Sequence, residues 1–134
     1  MNVITVAAAI ILDEQQQLLL VRKKNTQFFM QVDGKLELDE LPEQTMLREI
    51  KEEIGVDATI EQFVGRFETR AANEADHLLV SYVYHVSIDQ VPRMDAEIAE
   101  MKWVSLEANQ AFLAPLTIEI VMPWVRQNLV CATT

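Results

Sequence analysis

Cysteine is nearly absent: Cys131 is the only one in 134 residues. No internal disulfide can form, no cysteine-based zinc cluster is available, and Cys131 reads as an inert terminal residue. Glycine and proline are also sparse, at 3 and 4 residues, which excludes collagen-like and low-complexity classes. Positive charge is scarce. Lys plus Arg total 11 against 21 Asp plus Glu, a formal net charge of −10. Binding to duplex nucleic acid needs a basic footprint that this chain does not have. A small phosphate compound remains within reach where metal ions mediate the contact. The longest early apolar run, Val6 to Leu12, is far short of the ~20 residues that cross a bilayer. The start, Met1-Asn2-Val3, lacks the positive charge that opens a signal peptide. These absences predict a soluble, cytoplasmic protein with no membrane partner. What is present is a 50% hydrophobic fraction with 24% charged residues, enough to bury a core. The length suits a single domain over residues 1–134.

Val3 to Leu12 is β-branched and apolar, as in a buried strand. Gln17 to Lys23 reads as a second strand after the turn Asp13-Glu14-Gln15-Gln16, so the pair is expected to form a hairpin. Asn25 to Phe29 is a loop, followed by the short extended piece Met30-Gln31-Val32. From Leu41 to Ile54 the period becomes helical, with Leu47, Ile50 and Ile54 as an apolar stripe. Pro42 is tolerated in the first turn and Gly55 is a suitable stop. Asp57 to Arg70 and His77 to Ile88 read as longer strands, and Lys102 to Ser105 as a short one. Leu106 to Leu113 and Thr117 to Leu129 read as helices separated by Pro115. A helix set amid strands predicts a mixed sheet covered by helices.

The acids are unevenly spread. Seven of the 21 lie in the 17 residues from Glu37 to Glu53. At ~100° per residue, Glu49, Glu52 and Glu53 fall within about 100° of one another on the helix. Three like charges on one face break a local rule, and such a break usually has a compensating ligand. Hard oxygen donors suit Mg²⁺ or Mn²⁺, and such an ion could also bind phosphate oxygens and activate a water. An acidic stripe alone is more often a solvated face, but the full spacing changes that balance. Gly34, five residues, Glu40, seven residues, then Arg48-Glu49-Ile50-Lys51-Glu52-Glu53-Ile54-Gly55-Val56 is a fixed pattern. With seven fixed residues at ~1 in 14 each, chance over about 100 windows is on the order of 10⁻⁶.

This stretch resembles the signature of the Nudix hydrolases. The resemblance implies an α/β/α sandwich with a mixed β-sheet, of the α+β type. It implies metal-dependent hydrolysis of a nucleoside diphosphate linked to another moiety, with Mg²⁺ or Mn²⁺ as cofactor. The partner implied is a small nucleotide-type substrate, and the family suggests a homodimer. Carried onto this chain, Glu52 and Glu53 would be metal ligands, and Glu49 a ligand or the base for the attacking water. Glu40 would complete the metal shell, Arg48 would orient Glu49, and Gly34 would let the backbone turn closely beside the metal. Two departures stand out. Val32-Asp33-Gly34-Lys35 replaces the usual Pro-Gly-Gly-Lys, and Leu38-Asp39 replaces the usual Pro-Gly, although Asp tolerates left-handed backbone.

The members acting on ADP-ribose carry a Pro shortly after the box, and those acting on dinucleoside polyphosphates a Tyr. This chain has Ala71-Ala72-Asn73 there, and the coenzyme A pattern is absent, which leaves nucleoside triphosphates as the lead by elimination. Arg22, Lys23, Lys24 and Lys35 are either a phosphate clamp or solvated edge charge. Arg22 and Lys35 are taken as the substrate contacts. Phe28 and Phe29 could stack a base, although core packing is the commoner role of such rings, and Phe28 is taken as the stacking candidate. Trp103 and Trp124 read as core, and His77 and His85 as structural. A carboxylate outside the box is expected from the loop before Trp103, with Glu97 preferred over Glu100. The rival reading is a non-catalytic nucleotide-sensing protein on the same fold. Such proteins typically lose box carboxylates, and here none is lost. A Ca²⁺-binding module is disfavoured because the D-x-D-x-D-G loop is missing.

Overall fold

The computed structural model describes residues 2–95 and 97–130; the expectation for Cys131 lies outside the described residues. Strand β1 (Asn2–Ile11) carries the run Ala7 to Ile11, every residue of which is buried. Its odd and even positions face different layers. Ala7, Ala9 and Ile11 join one apolar cluster, and Ala8 and Ile10 the other. A strand buried on both faces needs no polar alternation, which is why this segment reads as continuously apolar.

Around β1 a four-stranded sheet forms in the order β3–β1–β5–β4, with β3 (Val32–Lys35), β4 (Ala58–Arg70) and β5 (His77–Ile88). β1 runs parallel to β5 and antiparallel to β3, and β4 is antiparallel to β5. The sheet is therefore mixed. The hairpin expected between the first two strands does not form. β2 (Leu18–Lys23) leaves after a single Leu12–Leu18 bridge and pairs with β6 (Ile98–Val104) in a second, antiparallel sheet. Both edges of β1 are already taken, so β2 has no place beside it. The intervening turn works without glycine. Gln16 takes a φ of 60°, and the Asp13 carboxylate accepts from the backbone N–H of Gln15 and Gln17.

Helix α1 (Pro42–Ile54) covers one face, burying Met46, Ile50 and Ile54 against Val32 and the odd side of β1. Met46, not Leu47, completes the stripe; Leu47 is exposed. Gly55 ends the helix at φ 72°, its N–H donating to the Lys51 carbonyl, a left-handed cap that an L side chain would strain. The opposite face is covered by the C-terminal helical segment. It runs as wide π-type turns over Thr117–Val121 and Arg126–Val130 around α2 (Met122–Val125). Val121, Met122 and Val125 are its buried face.

Two other expectations are corrected. Leu106 to Leu113 forms turns instead of a helix. The Ser105 hydroxyl accepts from the Glu107 N–H and the Asn109 side chain from the Ala111 N–H. Such local bonds compete with helical ones. β6 begins at Ile98, earlier than Lys102, because Ile98 is buried and pairs with Lys23. Phe29 is core, Trp103 and Trp124 pack at the core margins, and the His85 ring packs tilted against Trp124. No helix among the described residues is long and apolar enough to cross a membrane.

Candidate active site

Helix α1 and strand β3 place the box. Arg48 is the hub of its exposed half. The guanidinium donates from Nε and Nη2 to the two oxygens of Glu40, both at 2.9 Å, and from Nη1 to Glu49 at 2.8 Å. A longer contact reaches Glu52 at 3.3 Å. Arg48 therefore orients Glu49 directly, and the bidentate pair with Glu40 locks the loop before the helix onto it. Glu40 also accepts from the Thr45 hydroxyl at 2.6 Å. The Arg48 bond, then that of Thr45, holds its carboxyl well below the usual range. Both Glu40 oxygens thus face Arg48 in this structure, where the resemblance implied a place in a metal shell. Asp39, in the loop ahead of Glu40, adopts φ 64°, the left-handed geometry usually given to glycine.

Gly34 has a steric role. A Cβ placed there would lie 2.1 Å from Cγ and 2.3 Å from Cδ of Glu49. Its φ is not positive, so the residue clears space for Glu49 instead of enabling a turn.

The inner half centres on Glu53, only 6% exposed. Lys23 bridges it to Asp33, with Nζ at 2.9 Å from Asp33 Oδ1 and 3.7 Å from Glu53 Oε2. Glu53 Oε1 has no hydrogen-bond partner. Burial pushes the Glu53 carboxyl up to about 9; Lys23 opposes this, and the nearby Asp33 and Glu49 charges add to it. Burial alone would lower the Lys23 pKa, but Asp33 and Glu53 together raise it.

Among the described residues no three acidic or imidazole side chains are already gathered at ligating geometry; the carboxylates turn instead to Arg48 and Lys23. A divalent cation nonetheless fits this donor set. Glu53 offers an orphaned buried oxygen, with Asp33 and Glu49 near enough to perturb it. Lys23, at 3.7 Å from Oε2, offsets the charge only in part, and a bound cation would complete the compensation.

Beside this cluster opens a cavity of about 120 Å³ whose lining includes Lys23, Asp33, Lys35, Gln31, Asn73 and Leu116. Lys35, one of the expected substrate contacts, is part of this lining. Arg22 is not at the cavity: it pairs with Glu100 at 2.8 Å and with the Thr26 carbonyl. Adjacent strand residues point to opposite faces, so Lys23 takes the place expected of Arg22. Phe28 also lies away from the cavity lining, half-buried against Phe112 with ring centroids 6.5 Å apart. Lys24 is exposed. Glu97 is exposed on the loop that runs beside the end of α1, where the Asp95 N–H donates to the Glu53 carbonyl and Glu97's own carbonyl accepts from Lys24. Glu100 lies within β6, held by Arg22.

Sequence reasoning held Lys23 among four possible phosphate contacts but preferred Arg22, which strand alternation could have separated from it, and it missed Gln31 and Thr117 as pocket or pocket-supporting residues.

The family model described as NUDIX domain matches residues 1–125. The chain belongs to the NUDIX family. Hydrolases of this family generally depend on divalent metals. A curated relative, the CTP pyrophosphohydrolase of Escherichia coli K12, is 32% identical over 89 residues, covering 66% of this chain and 64% of that enzyme. Among solved structures, the E. coli ORF135 protein shares 25% identity with a TM-score of 0.75, over 97% of this chain and 94% of that one. A MutT protein from Methanosarcina mazei Go1 shares the fold with a TM-score of 0.79 at 21% identity, over 96% of each chain. The mixed sheet between helices is thus the Nudix arrangement, and the box sits where α1 meets β3.

Proposed function

We propose that this Nudix protein is a divalent-metal-dependent pyrophosphohydrolase of nucleoside triphosphates, with Mg²⁺ or Mn²⁺ as the ion. The observation that carries the reading is the buried, partly unpartnered Glu53 carboxylate near Asp33 and Glu49, linked through Lys23 to a cavity that Lys23, Lys35 and Asp33 line. The named activity of the E. coli relative points the same way.

Glu49, Glu52 and Glu53 would hold the ion, with Glu40 keeping Arg48, and through it Glu49, in place. When bound, the ion supplies charge neutralisation for the phosphate oxygens and lowers the pKa of a bound water. Lys23 and Lys35 orient the phosphate chain by charge. Glu97, on the exposed loop beside α1, accepts the proton of the attacking water; loops of this kind carry such residues. A nucleotide panel tests the reading. The protein should release pyrophosphate from at least one nucleoside triphosphate with Mg²⁺ or Mn²⁺, and release none in EDTA. Turnover unaffected by EDTA, or none on any nucleotide, would contradict it.

The outer carboxylate has its own test. Glu97→Gln should lower kcat and kcat/KM together by about 10–100-fold with KM nearly unchanged. Glu100→Gln should do far less, because Glu100 is spent on Arg22. Greater damage from Glu100→Gln would exchange the two assignments; no change in either would confine the chemistry to the box.

A further inference from the structure

Gln31 is 1% exposed, and its side-chain oxygen accepts from the Thr117 hydroxyl at 2.9 Å. Its amide nitrogen, Nε2, has no partner. Buried amide nitrogens are almost always bonded, and one left over in a native fold calls for an explanation. Gln31 lines the cavity beside the box, and the neighbouring wall comes from Ala114, Pro115 and Leu116, the residues just before Thr117. With the carbonyl end taken by Thr117, the NH₂ end is the free one. Lys23, Asp33 and Lys35 mark the phosphate side of the same cavity. The apolar wall of Ile4, Leu79 and Leu116 is suited to a flat ring.

We propose that Gln31 is the base-reading residue of this pocket, held by Thr117, and that it selects nucleotides whose base carries a carbonyl oxygen. The inference rests on the nucleotide reading above and narrows it. An amide N–H seeks an acceptor. A carbonyl oxygen offers two lone pairs with broad angular tolerance. Cytosine and guanine carry one such oxygen and uracil two; adenine carries none and offers only ring nitrogens, each with a single in-plane lone pair. A site with a buried donor disfavours a ligand that leaves the donor unpaired.

The test is kcat/KM for CTP, UTP, GTP and ATP in the wild type, in Gln31→Met and in Thr117→Val, with the melting temperature of each. Methionine keeps the length and removes the donor. The wild type should prefer its best carbonyl-bearing nucleotide over ATP by at least about 10-fold. Gln31→Met should lower kcat/KM on that nucleotide by about 10–100-fold, chiefly through KM, and close the gap to ATP. Its melting temperature should not fall below that of Thr117→Val, since Gln31→Met removes an unsatisfied group together with the bond. Thr117→Val leaves the donor present but free to turn, so it should raise KM on the same nucleotide by less. If Gln31→Met keeps the wild-type order and KM values, the unpaired nitrogen serves only a buried water and the inference is overturned. If the wild type prefers ATP, the inference fails while the nucleotide reading stands. If the wild type hydrolyses no nucleotide, both fail together.

Discussion

Glu53→Gln should lower kcat by at least about 100-fold while making the metal-free protein more resistant to heat at alkaline pH. The two effects have one cause. Glu53 is buried with one unpartnered oxygen, so its charge is costly without a cation and useful with one. Burial raises its folded pKa to about 9. Between the ordinary carboxylate range and that value, the folded chain keeps a proton that the unfolded chain has released. Stability is therefore complete below the window and is lost as pH rises through it. The metal-free wild type should lose melting temperature from pH 5 towards pH 9, and Glu53→Gln, which cannot ionise, should flatten that slope. Saturating Mg²⁺ should restore stability to the wild type at pH 8 but not to the variant. A parallel pH slope in both proteins would show that Glu53 is not the group responsible.

Gly34→Ala should lower kcat/KM about 100-fold through a residue it merely displaces. The added Cβ would meet Glu49 Cγ at 2.1 Å, closer than atoms can approach, and Glu49 is a flexible side chain that yields by swinging out. Its bond to Arg48 at 2.8 Å then breaks, and the carboxylate leaves the cluster. A double-mutant cycle separates this from general damage. In a Glu49→Ala background the clash is gone, so Gly34→Ala should cost almost no further activity or stability. Additive losses would place the role of Gly34 in its backbone instead.

The box was legible because its residues lie on one helix and one loop, where spacing along the chain translates directly into a shared face. Arg48, Glu49, Glu52 and Glu53 needed no knowledge of the rest of the molecule. The depth of Glu53 was not legible. Counting Leu47 into the apolar stripe turned the helix too far, whereas Met46 makes the contact and brings Glu53 to the edge of the buried face. The layers followed from the order of elements, and the doubly buried β1 explains its unbroken apolar run. Strand partners did not follow. Nothing local tells β2 that both edges of β1 are occupied, so the expected hairpin opened into two sheets. The same tertiary step decides the pocket. Lys23 and Asp33 meet only because β2 and β3 converge, and Gln31 is fixed by Thr117, 86 positions later. Arg22 and Phe28 were attractive as residue types, but Glu100 and Phe112 claim them.

Titration of Mn²⁺ into the wild type and Glu53→Gln, followed by the electron paramagnetic resonance signal of the free ion, tests the metal assignment most directly. The wild type should remove Mn²⁺ from the free pool saturably, and Glu53→Gln should leave most of it free at the same concentration. Equal binding by both proteins, or none by the wild type at millimolar Mn²⁺, would contradict the assignment of this carboxylate cluster as the metal site.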